Sequence, residues 1–409
     1  MTVLSRKARL DALKQREGSA PAGVSEEESW DDMYQRVRDG TILPILGGSV
    51  RLKRIFGLEH TDPQAATSDA PGAESKDEPA TVRPPQEGRP DDANTEPESQ
   101  ILMDLSELWA EKLNYPLQES RNLARVAQYN KVISKDSQQE KTRFLDFLKE
   151  SILELAKAYD PSVQEGVPRL WQEYRSNNLS FADIVTELDY PRYSERPDPL
   201  RILARFRLPI YVTTSYFDFI ERALKAEGAT KVRTQFCLWN MDEDQVAPEF
   251  RPDPAYVPTR EEPLVYHLFG LEKYPQSIVL SEDDYLDFVL ALAKDFDTEK
   301  RMIPLQLRRQ LEESSLLVMG FRLADWEFRV LFRGLINLLH GSLREANKNY
   351  SIAIQLDPRY QEPVNNEDGA RLYLKQYFEK SRFQVVWTST DSYIHSLWSY
   401  WDRRRKGQV

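Results

Sequence analysis

The amino-acid sequence predicts a doubly wound α/β fold, a mainly parallel, Rossmann-like sheet with an inserted helical subdomain. Two observations carry this. From Leu208 onward, short apolar runs of strand length alternate with amphipathic runs of helix length, the pattern of strands joined by crossover helices. Upstream, an apolar run that ends in two glycines is separated from the next strand by sequences with apolar residues at three- and four-residue spacing, so helices interrupt the sheet after its first turn.

Residues 1–58 hold an amphipathic stretch around Trp30 to Val37, the turn pair Asp39-Gly40, and then ILPILGG, a short buried strand reaching a tight turn at Gly47 and Gly48. Residues 59–100 read as a disordered insert. From His60 to Gln100 there are seven prolines, ten acidic residues and no aromatic ring, and Val82 is the one large aliphatic. Too little apolar surface is available there to offset the ordering entropy. Residues 101–200 form the helical subdomain, led by ILMDLSELWAEKL and QEKTRFLDFLKESILELAKAY. Residues 201–409 supply the rest of the sheet. Strands are expected at LPIYVTT, VRTQFCLW, PLVYHLF, SIVLS, SLLVMG, YSIAIQL and FQVVW, with helices such as FDFIERALKAEG, EDDYLDFVLALAKD and ADWEFRVLFRGLINLL between them.

Composition excludes several functions. The 409 residues carry a net charge of −11, which disfavours direct binding of nucleic acid by the bulk surface. Arg403, Arg404, Arg405 and Lys406 suit the C-terminal end of a last helix instead. Cys237 is the single cysteine, so no intrachain disulfide forms and a reducing compartment is expected. The four histidines (His60, His267, His340 and His395) are too dispersed for a zinc site, and no metal is expected. No apolar run reaches the ~18 residues of a membrane span and the N-terminus lacks a signal-peptide core, so the expectation is a cytoplasmic protein with no membrane partner. Nucleophile elbows and Walker loops are absent from the sequence.

The segment most suggestive of a site is TTSYFDFIERAL, residues 213–224. In a doubly wound fold ligands bind where strands open into helix N-termini, and here that place carries Thr213, Thr214 and Ser215. Their hydroxyls suit either a ribose, phosphate or water, or a backbone N–H of the following helix. Ser281 followed three residues later by Asp284 has the N-capping pattern, and Asp283 beside it suits the helix dipole.

Four segments, in order along the chain, resemble the sirtuin-like family, specifically its bacterial antiphage-defence branch. LPILGGSV stands where the family has a strand and Gly-Ala-Gly turn. TTSYFDFIERAL is similar to Thr-Thr-Asn-Tyr-Asp followed by a helix ending in Glu-Arg-Ala. YHLFGLEKYPQSIVLSEDDYLDF resembles a His-Gly strand end and a capped helix, and VMGFRLADWEFRVLFRGL the family's Gly-Tyr-Ser/Arg-Leu-x-Asp exit. The resemblance covers roughly residues 42–56 and 101–400.

It implies NAD as ligand or substrate and cleavage of the bond between nicotinamide and ribose. By the same resemblance, Gly47, Gly48, Ser49, Thr213, Thr214, Gly320, Arg322 and Asp325 fall at cofactor-binding positions. The sequence departs from the family at its chemical positions: Ser215 replaces the asparagine, Phe217 the aspartate and Phe269 the histidine. The remaining catalytic candidates are Ser215, Asp218, next to the displaced aspartate, and His267, one strand step from Phe269 and on the same face. His267 equally suits a buried structural partnership. Two functions therefore stand open: an NAD hydrolase-type effector, or a catalytically degenerate nucleotide-binding sensor or scaffold. The resemblance further implies a homo-oligomer and a partner protein of a defence system.

Overall fold

In the computed structural model of the chain, seven parallel strands form one sheet among the described residues, which are 26–56, 98–134, 139–177, 179–193, 197–294, 302–321, 326–336, 351–355, 366–379 and 383–407. The strands are β1 (Ile42–Leu46), β2 (Ile210–Thr213), β3 (Arg233–Phe236), β4 (Leu264–His267), β5 (Ser315–Met319), β6 (Ser351–Gln355) and β7 (Phe383–Trp387). Their order across the sheet is β3-β4-β2-β1-β5-β6-β7. Every ladder is parallel, including those of the outer strands.

Pro44 leaves its mark on the central strand. Leu46 O accepts from Thr214 N on the β2 side, so Pro44, two residues earlier, also faces β2, where it has no N–H to give. The β1–β2 ladder accordingly begins at Ile45, whereas β1 pairs with β5 along its whole length.

Alternate residues of β1, β2, β4 and β5 enter opposite cores, as a period of two requires. Ile42, Leu46, Tyr211, Val265, Leu317 and Met319 belong to one. Leu43, Ile45, Ile210, Val212, Leu264 and Val318 belong to the other. The first core is covered by α1 (Glu26–Asp39), α2 (Ser49–Phe56), α9 (Phe219–Ala226) and α14 (Thr390–Arg405). It continues into a helical block of α3 (Glu98–Lys112), α4 (Leu123–Ile133), α5 (Glu140–Tyr159), α6 (Val167–Asn177), α7 (Phe181–Glu187) and α8 (Pro199–Arg205). The second core is covered by α10 (Glu282–Lys294), α11 (Leu305–Glu313), α12 (Trp326–Val330) and α13 (Glu367–Glu379). Directly after α12, Leu331–Ile336 continues as a π-helical turn. The fold is thus the doubly wound, Rossmann-like α/β arrangement that the strand-helix alternation predicts.

The helical block is tied to the sheet by a buried ion pair. Lys149 of α5 meets Glu272, in the turn beyond β4, at 2.9 Å, and the Glu272 carboxylate also accepts the N–H of Phe181 that opens α7. Ser180 and Asp183 complete a capping box at the same helix start.

One expectation needs correction. SIVLS, expected as a strand, lies outside the sheet: Ile278 to Leu280 are buried, but Val279 N bonds Phe269 O, and the N–H groups of Leu280 and Ser281 bond the Asp284 carboxylate. Its apolar character comes from burial beneath the β4 turn. At the acidic insert, residues 59–97 lie outside the described residues, while Glu98 already begins α3. Arg322 and Asp325 also lie outside the described residues.

Candidate functional site at the strand ends

The chain leaves β1 toward β2 on one side, and β5 stands on the other, so the carboxyl ends of β1 and β5 border the topological switch point of the sheet. There the backbones come very close. Gly47 N donates to Met319 O at 2.8 Å, and a Cβ built on Gly47 would lie 2.3 Å from Gly320 O, so position 47 admits only glycine. Gly320 itself has φ +78°, a left-handed conformation that suits glycine. The two turn glycines, far apart in sequence, meet at one point.

Three donors and acceptors converge beside them. Gly48 N, just before α2, donates to Thr214 Oγ1 at 2.7 Å and to Glu327 Oε1 at 3.0 Å. The Thr214 hydroxyl in turn donates to the Glu327 carboxylate. A side chain from α12 thus reaches over the ends of β1 and β2. In sequence this segment draws attention to Gly320, Arg322 and Asp325, whereas Glu327 has no local signal that marks it.

The other hydroxyls of TTS serve the backbone. Thr213 Oγ1 accepts from Ser215 N at 3.0 Å, and Ser215 Oγ accepts from Phe217 N at 3.2 Å. These bonds shape the turn into α9, whose first residue is Phe219 rather than Phe217. Thr213 is buried, whereas Ser215 is half-buried.

His267 has no exposed surface. Its Nδ1 lies 2.7 Å from Ser215 O and its Nε2 2.9 Å from the Glu221 carboxylate, two acceptors that require both nitrogens to carry protons. Burial alone would lower its pKa, but Glu221 outweighs this and holds the imidazolium. Glu221 is conversely kept below the usual carboxylate range by His267, against the cost of its own burial. Neither ring nitrogen is left to take a proton from a ribose. His267 ties the Ser215 carbonyl to the Glu221 carboxylate, the buried structural partnership that its place in the sequence also suits. Its partner Glu221 is the acid of the FIERAL segment, which the sequence alone does not connect to His267.

Phe217 and Phe269, at the positions of the family's aspartate and histidine, are core residues. Phe217 packs at 4.7 Å between ring centroids on Phe181, and Phe269 stands edge-on to Tyr285 and Phe288. They belong to opposite cores. Asp218 precedes α9 without a side-chain capping bond and pairs with Arg222 at 2.8 Å, an i,i+4 contact, while the same guanidinium also meets Asp183 at 2.7 Å. Asp283 and Asp284 occupy the start of α10, where Asp284 accepts from Ser281 N and Ser281 Oγ accepts from Asp284 N, as the capping pattern predicts. Burial raises the pKa of the neighbouring Tyr216, with Glu327 and Asp284 adding to the effect.

Residues 209–385, from just before β2 into β7, match the family model of the SIR2-like domain. That stretch is therefore similar to a SIR2-like domain, and the all-parallel sheet around it agrees with a sirtuin-like, NAD-related Rossmann-like fold. It includes Thr213 to Ser215, His267 and Gly320, and leaves Gly47 and Gly48 outside. No curated protein matches the chain.

SIR2-like domains generally bind NAD. The residues fit such a dinucleotide in part. Gly48 N–H and the Thr214 hydroxyl, at the start of α2, are donors suited to a phosphate. The family's carboxylate and imidazole have no counterpart in Phe217 and Phe269. Among the described residues no helix is long and apolar enough to cross a membrane, and no His, Cys, Asp and Glu group could hold a metal.

Proposed function

We propose that the chain is a sirtuin-like nucleotide-binding protein that keeps the strand-end phosphate turn and has lost the means to cleave the glycosidic bond, acting as a nucleotide sensor or scaffold. One observation carries this reading: the buried His267–Glu221 pair uses both ring nitrogens while aromatic side chains occupy the matched acid and base positions. Glycosidic cleavage needs polar groups within hydrogen-bond reach of the ribose, and this set supplies none at those positions. The resemblance extends the proposal to bacterial antiphage defence, a homo-oligomeric assembly and a partner protein.

The NAD hydrolase reading is favoured by a different observation. Ser215 is half-buried at the strand end and the Asp218 side chain beyond it is 41% exposed, so a hydroxyl and a carboxylate remain near the crevice. Incubating the purified chain with NAD separates the two. The proposal expects saturable binding with no free nicotinamide above buffer. Nicotinamide release that scales with protein and falls ~5- to 150-fold in Ser215→Ala or Asp218→Asn, at unchanged folded fraction, would establish the hydrolase instead.

A further inference from the structure

Glu327 is the second residue of α12, yet its carboxylate lies at the start of α2, on the far side of the β1–β5 junction. Two donors meet it there, the Gly48 N–H at 3.0 Å and the Thr214 hydroxyl. A carboxylate oxygen resembles a phosphate oxygen in charge and in hydrogen-bonding capacity. The turn before a helix N-terminus attracts either, through the free backbone N–H groups and the positive end of the helix dipole. The seat that a doubly wound fold offers to a pyrophosphate is therefore already taken by an anion of the chain itself.

Two anions cannot use the Gly48 N–H together, since their like charges would face each other at hydrogen-bond distance in a half-buried crevice. The local architecture permits exchange. Phe328 and Val330 anchor α12 in the core, while Glu327 is half-buried, so the packing of the helix does not rest on this carboxylate. The helix then widens into the π-helical turn Leu331–Ile336, an irregularity that recurs at functional sites.

We infer that Glu327 is a resident occupant of the phosphate-binding turn, and that a phosphate-bearing ligand binds only as this carboxylate leaves. The inference rests on the nucleotide-binding function proposed above and adds a gate to it. It makes the free chain self-liganded and weakens its affinity for dinucleotides. It also selects ligands whose remaining contacts outweigh the displacement.

The test is a calorimetric titration of the full chain, Glu327→Gln and Glu327→Ala with inorganic pyrophosphate and with ADP-ribose. Glutamine keeps the size and one acceptor but removes the charge, and alanine removes both. Thermal unfolding of each variant checks that the fold is kept, and Glu327→Gln is the near-isosteric control should alanine destabilise it. Both ligands are expected to bind the two variants at least tenfold more tightly than the parent. Equal or weaker ADP-ribose binding by the variants, in a parent that binds it, overturns the gate and leaves the nucleotide reading standing. Tightened pyrophosphate binding with no ADP-ribose binding by any form supports the occupied anion seat and removes the nucleotide reading. Failure of both ligands to bind any form overturns both.

Discussion

His267 shows how one buried side chain converts a suspected reactive group into a brace. Its ring spans the Ser215 carbonyl at the end of β2 and the Glu221 carboxylate on α9, so the site turn and the helix behind it are locked together. The pair has a pH window. Glu221, with a lowered pKa, contributes stability above the ordinary carboxylate range that is lost as pH falls through its folded value. His267, with a raised pKa, contributes stability that is complete below about 6.5 and is lost as pH rises through its folded value. The contribution is therefore greatest near pH 5 to 6. His267→Gln leaves a buried carboxylate without its cation and should cost ~3–5 kcal/mol in that range. Denaturant unfolding at pH 6 and pH 9 checks this: the loss should shrink at the higher pH, and an equal loss at both would show that the ring acts by packing alone. Part of this was legible in sequence, since a histidine two residues from the family position could only be a displaced base or a structural partner. The choice needed Glu221, brought beside it by the β2–β4 pairing and the return of α9.

Among the elements, the start of α5 is a place of unresolved charge. Glu140 is 1% exposed and neither of its carboxyl oxygens has a hydrogen-bond partner. Lys131 of α4, Lys141 of α5, and Asp283 and Asp284 of α10 surround it electrostatically. Burial, then repulsion from Asp284, pushes its pKa up to about 7 against the pull of the lysines. Asp284 differs because it holds Lys141 at 3.2 Å and accepts two backbone N–H groups, which keep its pKa low despite burial. Between about pH 4.5 and 7 the folded chain retains a proton on Glu140 that the unfolded chain releases, so stability falls as pH rises through that window. Glu140→Gln should consequently stabilise the protein by ~1–3 kcal/mol at pH 8 and change little at pH 4. Thermal unfolding at the two pH values measures it; a pH-independent effect would mean that Glu140 ionises freely. The cap at Ser281 and Asp284 was readable from spacing, because capping is a local pattern. The misplaced SIVLS strand was not, because an apolar run reports burial and leaves open whether a neighbouring strand edge is there to pair with it.

At the scale of the molecule, the alternation of strands and helices carried the architecture, and the position of the crevice followed from it. Gly47 and Gly320 were legible as turn glycines, but only the strand order brings them into contact and sets Thr214 beside Gly48. Glu327 stayed hidden in sequence for the same reason: its role depends on α12 being brought within hydrogen-bond reach of Gly48, a long-range juxtaposition that no local spacing encodes. Binding of nucleotide at this crevice is read out by hydrogen exchange of the whole chain with and without saturating ADP-ribose. Slowed exchange is expected at residues 47–52, residues 214–219 and the turn that follows β5, and nowhere else. Protection concentrated elsewhere, or no protection at any concentration of nucleotide, would contradict it.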